Sequence, residues 1–337
     1  MSKIHAVITG IGAYAPRYRL TNAELSTIVD TSDEWITKRI GIKERRILKP
    51  DEGVGISYLA EKAIEDLKSK NNFNPLEIEA IVFATTTPDY MLPNTACLVA
   101  YKTGMNNAFA FDLSAACSGF LYGLEVGRGF IVSGIYKKVL VIAGDVLSVI
   151  TNYKDRNTCP IFSDACGVAL LEATTEDFGI MDSILRSDGN SLEYLNMYGG
   201  GSVNPSTHET IDKDLQYIRQ EGKVVFKHAI TSMTSACEEL TKRNNLTKDN
   251  IDWLVPHQAN LRIIDAVVSR MDIPREKVTI NIENYGNSSA GTIPLCMREW
   301  ESKFRKGDNI ILTTFGAGFT WGATYLKWGY NSTNSEQ

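Results

Sequence analysis

The chain has no Cys-x-x-Cys pair, and its four histidines do not cluster with its six cysteines. That excludes the usual zinc frameworks and a disulfide scaffold, and it suits a reducing cytoplasm. No run of about 18 apolar residues occurs, so neither a membrane-spanning helix nor a membrane partner is expected. The opening "MSKIHAVITGIGAYAP" lacks the apolar core and small-residue cleavage site of an export signal, which makes a cytoplasmic location the expectation. Charge of one sign is also missing: 35 Lys and Arg stand against 40 Asp and Glu, a net of -5, and no nucleic-acid partner is expected. No Gly/Ser linker or charge block divides the 337 residues, a length sufficient for one large domain or two fused ones.

What is present is an alternation of apolar strands and amphipathic helices. "HAVITGIGAY" reads as a strand closing in a glycine turn. "GISYLAEKAIEDLKSK" puts Ile56, Leu59, Ala60, Ala63, Ile64 and Leu67 on one helical face. "EAIVFATTT" and "KKVLVIAGD" are further strands, and strands interleaved with helices predict a mostly parallel α/β sheet covered on both faces. The second half echoes the first. "NNFNPLEIEAIVFAT" and "NNLTKDNIDWLVPHQ" align without a gap at an offset of 173, and "KVLVIAGD" matches "NIILTTFG" at 171. "FDLSAACSG" falls on "NIENYGNSS" at 170, which lays Cys117 over Asn287. Three matches in one order predict an internal duplication. The halves are set at 1–175, with the cysteine, and 176–337, with His257 and Asn287, their functional loops meeting at the junction.

Cys117 stands where the apolar strand "NAFAFDLS" turns into a helix among Ser114, Ala115, Ala116, Ser118 and Gly119. A lone cysteine is ordinarily a small hydrophobe. At a helix start, however, unpartnered N–H groups and the macrodipole are expected to lower the thiol pKa, and small neighbours admit a carbonyl. His257 follows the strand "IDWLV", and Asn287 occupies the elbow matching Cys117. Each alone also reads as a satisfied strand-end histidine or a helix cap. Together at strand ends, where open parallel sheets bind ligands, they suggest catalysis. A histidine Nε2 and an asparagine amide can aim at one oxygen and hold an enolate without a repelling charge. Backbone N–H groups of Cys117 and of "TFGAGFTWG" offer a second oxyanion site.

The segments "TSDEWITKRIGIKERR", "FDLSAACSGF", "WLVPHQANLRII", "NIENYGNSSAGTIPL" and "FGAGFTWG" resemble those of β-ketoacyl-acyl carrier protein synthase III, in family order along essentially the whole chain. The resemblance implies the thiolase-like fold, two duplicated α/β halves in a five-layered α-β-α-β-α arrangement, and a homodimer. It implies a catalytic Cys117, His257 and Asn287, with backbone oxyanion donors at Cys117 and Ala317. Trp35 and Arg156 would sandwich the adenine of coenzyme A, and Asn260 would line the pantetheine tunnel. Arg262 and Lys227 would meet coenzyme A phosphates or an acidic carrier protein. Phe315 and Leu92 would border the primer pocket, Leu92 reached across the dimer interface. Three departures stand out: "FSDACGV" for the family's "FGDGAGA", Ala317 in a loop usually reading "GGG", and Leu92 where acetyl-preferring members carry Phe.

The implied reaction is a decarboxylative Claisen condensation between a short acyl-CoA and malonyl-acyl carrier protein, starting fatty acid synthesis through an acyl-cysteine, with no metal or redox cofactor. Two rivals are a thiolase-fold enzyme of specialised metabolism and a Cys–His–Asn thioester hydrolase. The duplicated α/β pattern and the lack of a "CGSCW"-like motif speak against the hydrolase.

Overall fold

The computed structural model describes residues 4–332. Two sheets dominate. The first contains β1 (His5–Tyr14), β2 (Ala80–Ala84), β3 (Phe109–Leu113), β4 (Lys138–Val146) and β5 (Asp164–Thr174), in the order β1-β5-β4-β2-β3. The second contains β6 (Gly179–Ser187), β7 (Trp253–Pro256), β8 (Asn309–Gly316) and β9 (Thr320–Lys327), in the order β7-β8-β9-β6. Read from the other edge, β6-β9-β8-β7 repeats β1-β5-β4-β2. The parallel pair β2–β4 recurs as β7–β8, and the antiparallel pairs recur likewise. The duplication seen in the sequence is therefore one of topology.

Strand alternation sets the layers. Val82, Val139 and Val141 of the first sheet, with Ile310 and Leu312 of the second, face one central cluster. That cluster is filled by Phe120, Leu121 and Leu124 of a helix at Gly119–Val132, and by Ile293 and Met297 of one at Thr292–Trp300. Their neighbours Ile81, Phe83, Leu140 and Ile142 point the opposite way, onto the helices Ile56–Lys70 and Thr95–Thr103. Ile311 and Leu254 do the same beneath Gly222–Arg243 and Leu261–Met271. Because successive side chains leave opposite faces of a strand, a strand apolar at every position must be covered on both sides. The result is the five-layered thiolase-like fold. Among the described residues no helix is long and apolar enough to cross a membrane.

One expected correspondence is incomplete. The counterpart of β3 in the second half is not a strand: only Val278 bridges to Leu254, and the chain then runs irregularly into a short helix at Ile282–Tyr285. Sequence similarity in the elbow overstated the regular structure before it. The missing ladder is supplied by a side chain. Gln258, fully buried, donates Nε2 to Pro256 O at 2.8 Å and Thr279 O at 3.3 Å. Its Oε1 accepts from the backbone N–H groups of Asn281 and Ile282 at 3.1 and 3.2 Å. Gln258 thus ties the His257 segment to the loop ending in Asn287. Gln258→Leu keeps the volume but strands buried donors and acceptors, each costing about 1–3 kcal/mol. The expected loss is roughly 3 kcal/mol of unfolding free energy in urea titrations. An unchanged transition midpoint would remove Gln258 from this role.

Candidate active site

Cys117 sits in a single 3₁₀ turn, Ala116–Ser118, between β3 and the central helix that begins at Gly119. The elbow is tight: Ala116 has φ 45°, and Gly286, its counterpart 170 residues on, has φ 64°. Both duplicated elbows therefore turn through left-handed backbone, which glycine adopts freely and alanine at a cost of about 1 kcal/mol. The second half grips the first here. Thr314 Oγ1 donates to Cys117 O at 2.9 Å, and Thr320 Oγ1 donates to Ala115 O at 3.1 Å. A Cβ added to Gly316 would stand 2.8 Å from Cys117 N, so the "GAG" loop lies directly against the cysteine.

The expected low thiol pKa is not what the surroundings produce. Burial pushes the Cys117 thiol up to about 12, against a hydrogen bond from Ser289, and the buried Asp145 carboxylate adds to the rise. One helix terminus does not offset removal from water. Burial acts on the histidine in the opposite direction, holding His257 down at about 3, so its imidazole is neutral.

His257 closes β7: its N–H donates to Thr313 O at 2.8 Å, and its Nδ1 lies 2.6 Å from Thr292 Oγ1. Asn287 is held by backbone on both sides, its N–H donating to Ile161 O and its carbonyl accepting from Ser163, each at 2.9 Å. Its Oδ1 accepts the Ser289 N–H at 2.8 Å. A backbone N–H can only donate, so this contact fixes the amide orientation and leaves the Nδ2 hydrogens to donate.

Cys117, His257 and Asn287 all line one cavity of about 810 Å³. Its buried end holds His257, Asn287 and Phe315, at 3%, 5% and 4% exposure. Its outer end carries half-buried Trp35 and Arg156 and the exposed Arg262. The Arg156 guanidinium lies 4.9 Å from the Trp35 ring centroid and pairs with Asp30 at 3.1 Å. Asn260 caps the helix behind His257 by accepting the Arg262 N–H at 2.9 Å, and it also lines the cavity, as does Ala317.

Two predicted residues lie elsewhere. Lys227 is exposed on its helix and does not line the cavity; Lys223, one turn earlier, does. Leu92 is 88% exposed on the loop after β2 and does not border its own chain's cavity. The structure adds residues the sequence reading missed. Arg39, one turn after Trp35, lies 5.1 Å from that ring, and Phe226 carries the Arg262 guanidinium at 5.2 Å. Ser289 and Thr292 follow Asn287 in the same turn. Helical spacing from Trp35 would have found Arg39; nothing local marks Thr292.

Comparison with known proteins identifies the family. The family model described as 3-oxoacyl-[acyl-carrier-protein (ACP)] synthase III matches residues 111–189, and its C-terminal companion matches 241–328. A β-ketoacyl-[acyl-carrier-protein] synthase III of Azobacteroides pseudotrichonymphae is 68% identical over 98% of this chain and 100% of its own length. The crystal structure of the Aquifex aeolicus 3-oxoacyl-[acyl-carrier-protein] synthase III superposes with a TM-score of 0.89 at 39% identity, covering 96% of this chain and 100% of that one. A priming β-ketosynthase of a polyketide pathway is 30% identical, with 97% of each chain covered and a TM-score of 0.89. The chain belongs to the β-ketoacyl-acyl carrier protein synthase III family and is a condensing acyltransferase.

Proposed function

We propose that this enzyme starts fatty acid synthesis by joining a short acyl-CoA to malonyl-acyl carrier protein. The observation that carries the reading is the single cavity with Cys117, His257 and Asn287 at its buried end and cationic and aromatic side chains at its outer end. The phosphates of coenzyme A and the acidic carrier protein meet Arg262 and the outlying Lys227, while Trp35 and Arg156 flank the adenine. The pantetheine arm passes Asn260. Because burial opposes charge on both partners, thiol and imidazole rest as a neutral pair. His257 takes the Cys117 proton as the sulfur bonds the acyl carbon, and coenzyme A leaves with that proton. The tetrahedral oxyanion is held by the N–H groups of Cys117 and Ala317.

Malonyl-acyl carrier protein then enters. His257 and the Asn287 amide donate to its thioester oxygen as CO2 departs, and the enolate attacks the acyl-cysteine beside Phe315. Loss of CO2 supplies the carbanion, so the step calls for no metal or redox cofactor. A dry cavity protects the acyl-enzyme from water. A reducing cytoplasm suits the six free thiols.

The enzyme acts as a homodimer in this reading. β3 ends its sheet with an unpaired edge, and Tyr90, Met91, Leu92 and Tyr101 near it are 62–88% exposed. An apolar edge of this kind is covered by a second copy, which brings Leu92 to the partner's primer pocket.

Mass spectrometry after incubation with mixed acyl-CoAs tests the function: an acyl mass on Cys117 is expected, and none on the Cys117→Ala variant. An acyl group on another cysteine, or prompt release of free acid, would defeat the reading. Asn287→Asp places a negative charge beside the forming enolate. It removes a donor worth on the order of 3 kcal/mol, so decarboxylation should fall about a hundredfold or more while acyl transfer falls far less. Equal losses would point away from an enolate role. Leu is smaller than Phe and more adaptable, so branched primers such as isobutyryl should compete with acetyl. Leu92→Phe should then lose the branched primers and keep acetyl, each fitted methylene being worth about 1 kcal/mol. An unchanged ratio in a competition assay would exclude Leu92 from primer choice.

A further inference from the structure

The His257 nitrogen turned away from the cavity has a defined partner. Nδ1 lies 2.6 Å from Thr292 Oγ1, and Thr292 is 2% exposed. The same hydroxyl donates to the Ser289 carbonyl at 3.1 Å. A threonine hydroxyl has one hydrogen, and a carbonyl only accepts. With its hydrogen on Ser289, Thr292 has only a lone pair to offer His257, so Nδ1 carries the ring proton. In the opposite arrangement the hydroxyl turns to Nδ1 and the ring proton moves to Nε2. That trio makes one hydrogen bond instead of two. In a buried wall, away from water, the fuller set is favoured.

We propose that Thr292 is the positioning residue that fixes His257 as the Nδ1–H tautomer and turns the Nε2 lone pair toward Cys117, an inference that rests on the catalytic reading of the cavity. One tautomer then serves both half-reactions. In acyl transfer, Nε2 takes the Cys117 proton as the new C–S bond forms. It gives that proton to the coenzyme A sulfur as the old C–S bond breaks, and the ring ends as it began. Decarboxylation with condensation consumes one proton, since the carboxylate leaves as CO2 and the cysteine ends as a thiol. With Nδ1 already protonated, Nε2 is the ring atom that takes this proton, which arrives on the malonyl carboxyl group; the carboxylate left beside the ring offsets the burial that otherwise keeps it neutral. Nε2–H donates to the thioester oxygen and passes the proton to Cys117 sulfur when the acyl C–S bond breaks. The turn also couples the two donors. The Thr292 backbone N–H donates to the Ser289 carbonyl, and the Ser289 N–H holds Asn287 Oδ1. One short segment thus orients the histidine through a hydroxyl and the asparagine through an amide.

The test combines spectroscopy with half-reaction rates. Nitrogen-15 shifts of His257 in the free wild-type enzyme should show Nδ1 protonated and Nε2 bare. Thr292→Val keeps the shape and removes the acceptor, so the ring proton should move to Nε2, the nitrogen left with polar surroundings. Acyl transfer to Cys117 should fall about 10- to 100-fold, as when the orienting partner of a functional histidine is removed. Thr292→Ser should restore both tautomer and rate. An Nε2–H ring in the wild type, a Thr292→Val enzyme with wild-type acylation, or a Thr292→Ser enzyme no better than Thr292→Val overturns the proposal. If the wild type takes no acyl group at all, the catalytic reading fails instead, and the nitrogen shifts still decide the tautomer.

Discussion

The hydroxyl of Thr314 on the carbonyl of Cys117 is the contact from which the site is best understood. It joins a strand of the second sheet to the elbow of the first, and Gly316 makes room for it by leaving no Cβ against Cys117 N. A nucleophile on one half and its histidine and asparagine on the other work together only if the two halves cannot slide. Thr320 on Ala115, and the backbone pairing of Asn287 with Ile161 and Ser163, repeat the clasp in both directions. Gly119 sits in the same seam, where a Cβ would approach Ala84 Cβ to 2.8 Å. The central layer therefore does more than bury apolar surface: its tight, small-residue contacts hold groups from two sheets in register around one cavity.

That closeness excludes water, and the exclusion sets the chemistry. The same burial raises the thiol to about 12 and lowers the imidazole to about 3, so neither charge is favourable before substrate arrives. A free thiolate would react with any electrophile that entered. Here proton transfer is coupled to the approach of a thioester whose developing oxyanion meets backbone donors. The neutral pair is the electrostatic consequence of a dry, preorganised cavity.

The helix-covered strands, the duplication and the three polar residues were legible because each rests on a local pattern; the mostly parallel sheet expected from the alternation was not borne out, since four of the seven pairings in the two large sheets are antiparallel. Unbroken apolar runs in "AIVFA" and "VLVIA" and helical spacing in the Ile56 segment are written into single stretches of chain. Cys117 and Asn287 were marked by matching elbows. The thiol pKa was not legible, because the helix terminus is local while the desolvating walls come from distant segments. Arg39 and Lys223 were missed because a charged residue on an exposed helix turn looks like any other until a cavity passes beside it. Leu92 was named through resemblance alone; it lies outside its own chain's cavity, 88% exposed on a loop projecting beyond the sheet edge.

The duplication explains why two such different residues occupy equivalent elbows. Each half offers a turn with positive φ, placing the next side chain in the seam between the sheets. In the first half β3 runs fully into that turn and a helix follows at once, so the side chain sits at the helix start, where a nucleophile belongs. In the second half the strand is reduced to the Val278 bridge, and Gln258 replaces its ladder with side-chain hydrogen bonds. That substitution frees the chain to come back against the Ile161 segment of the other half, where Asn287 is clamped by backbone and its amide orientation fixed by Ser289. A rigid donor is what an enolate requires, and the loss of regular strand is what allows the second elbow to become one.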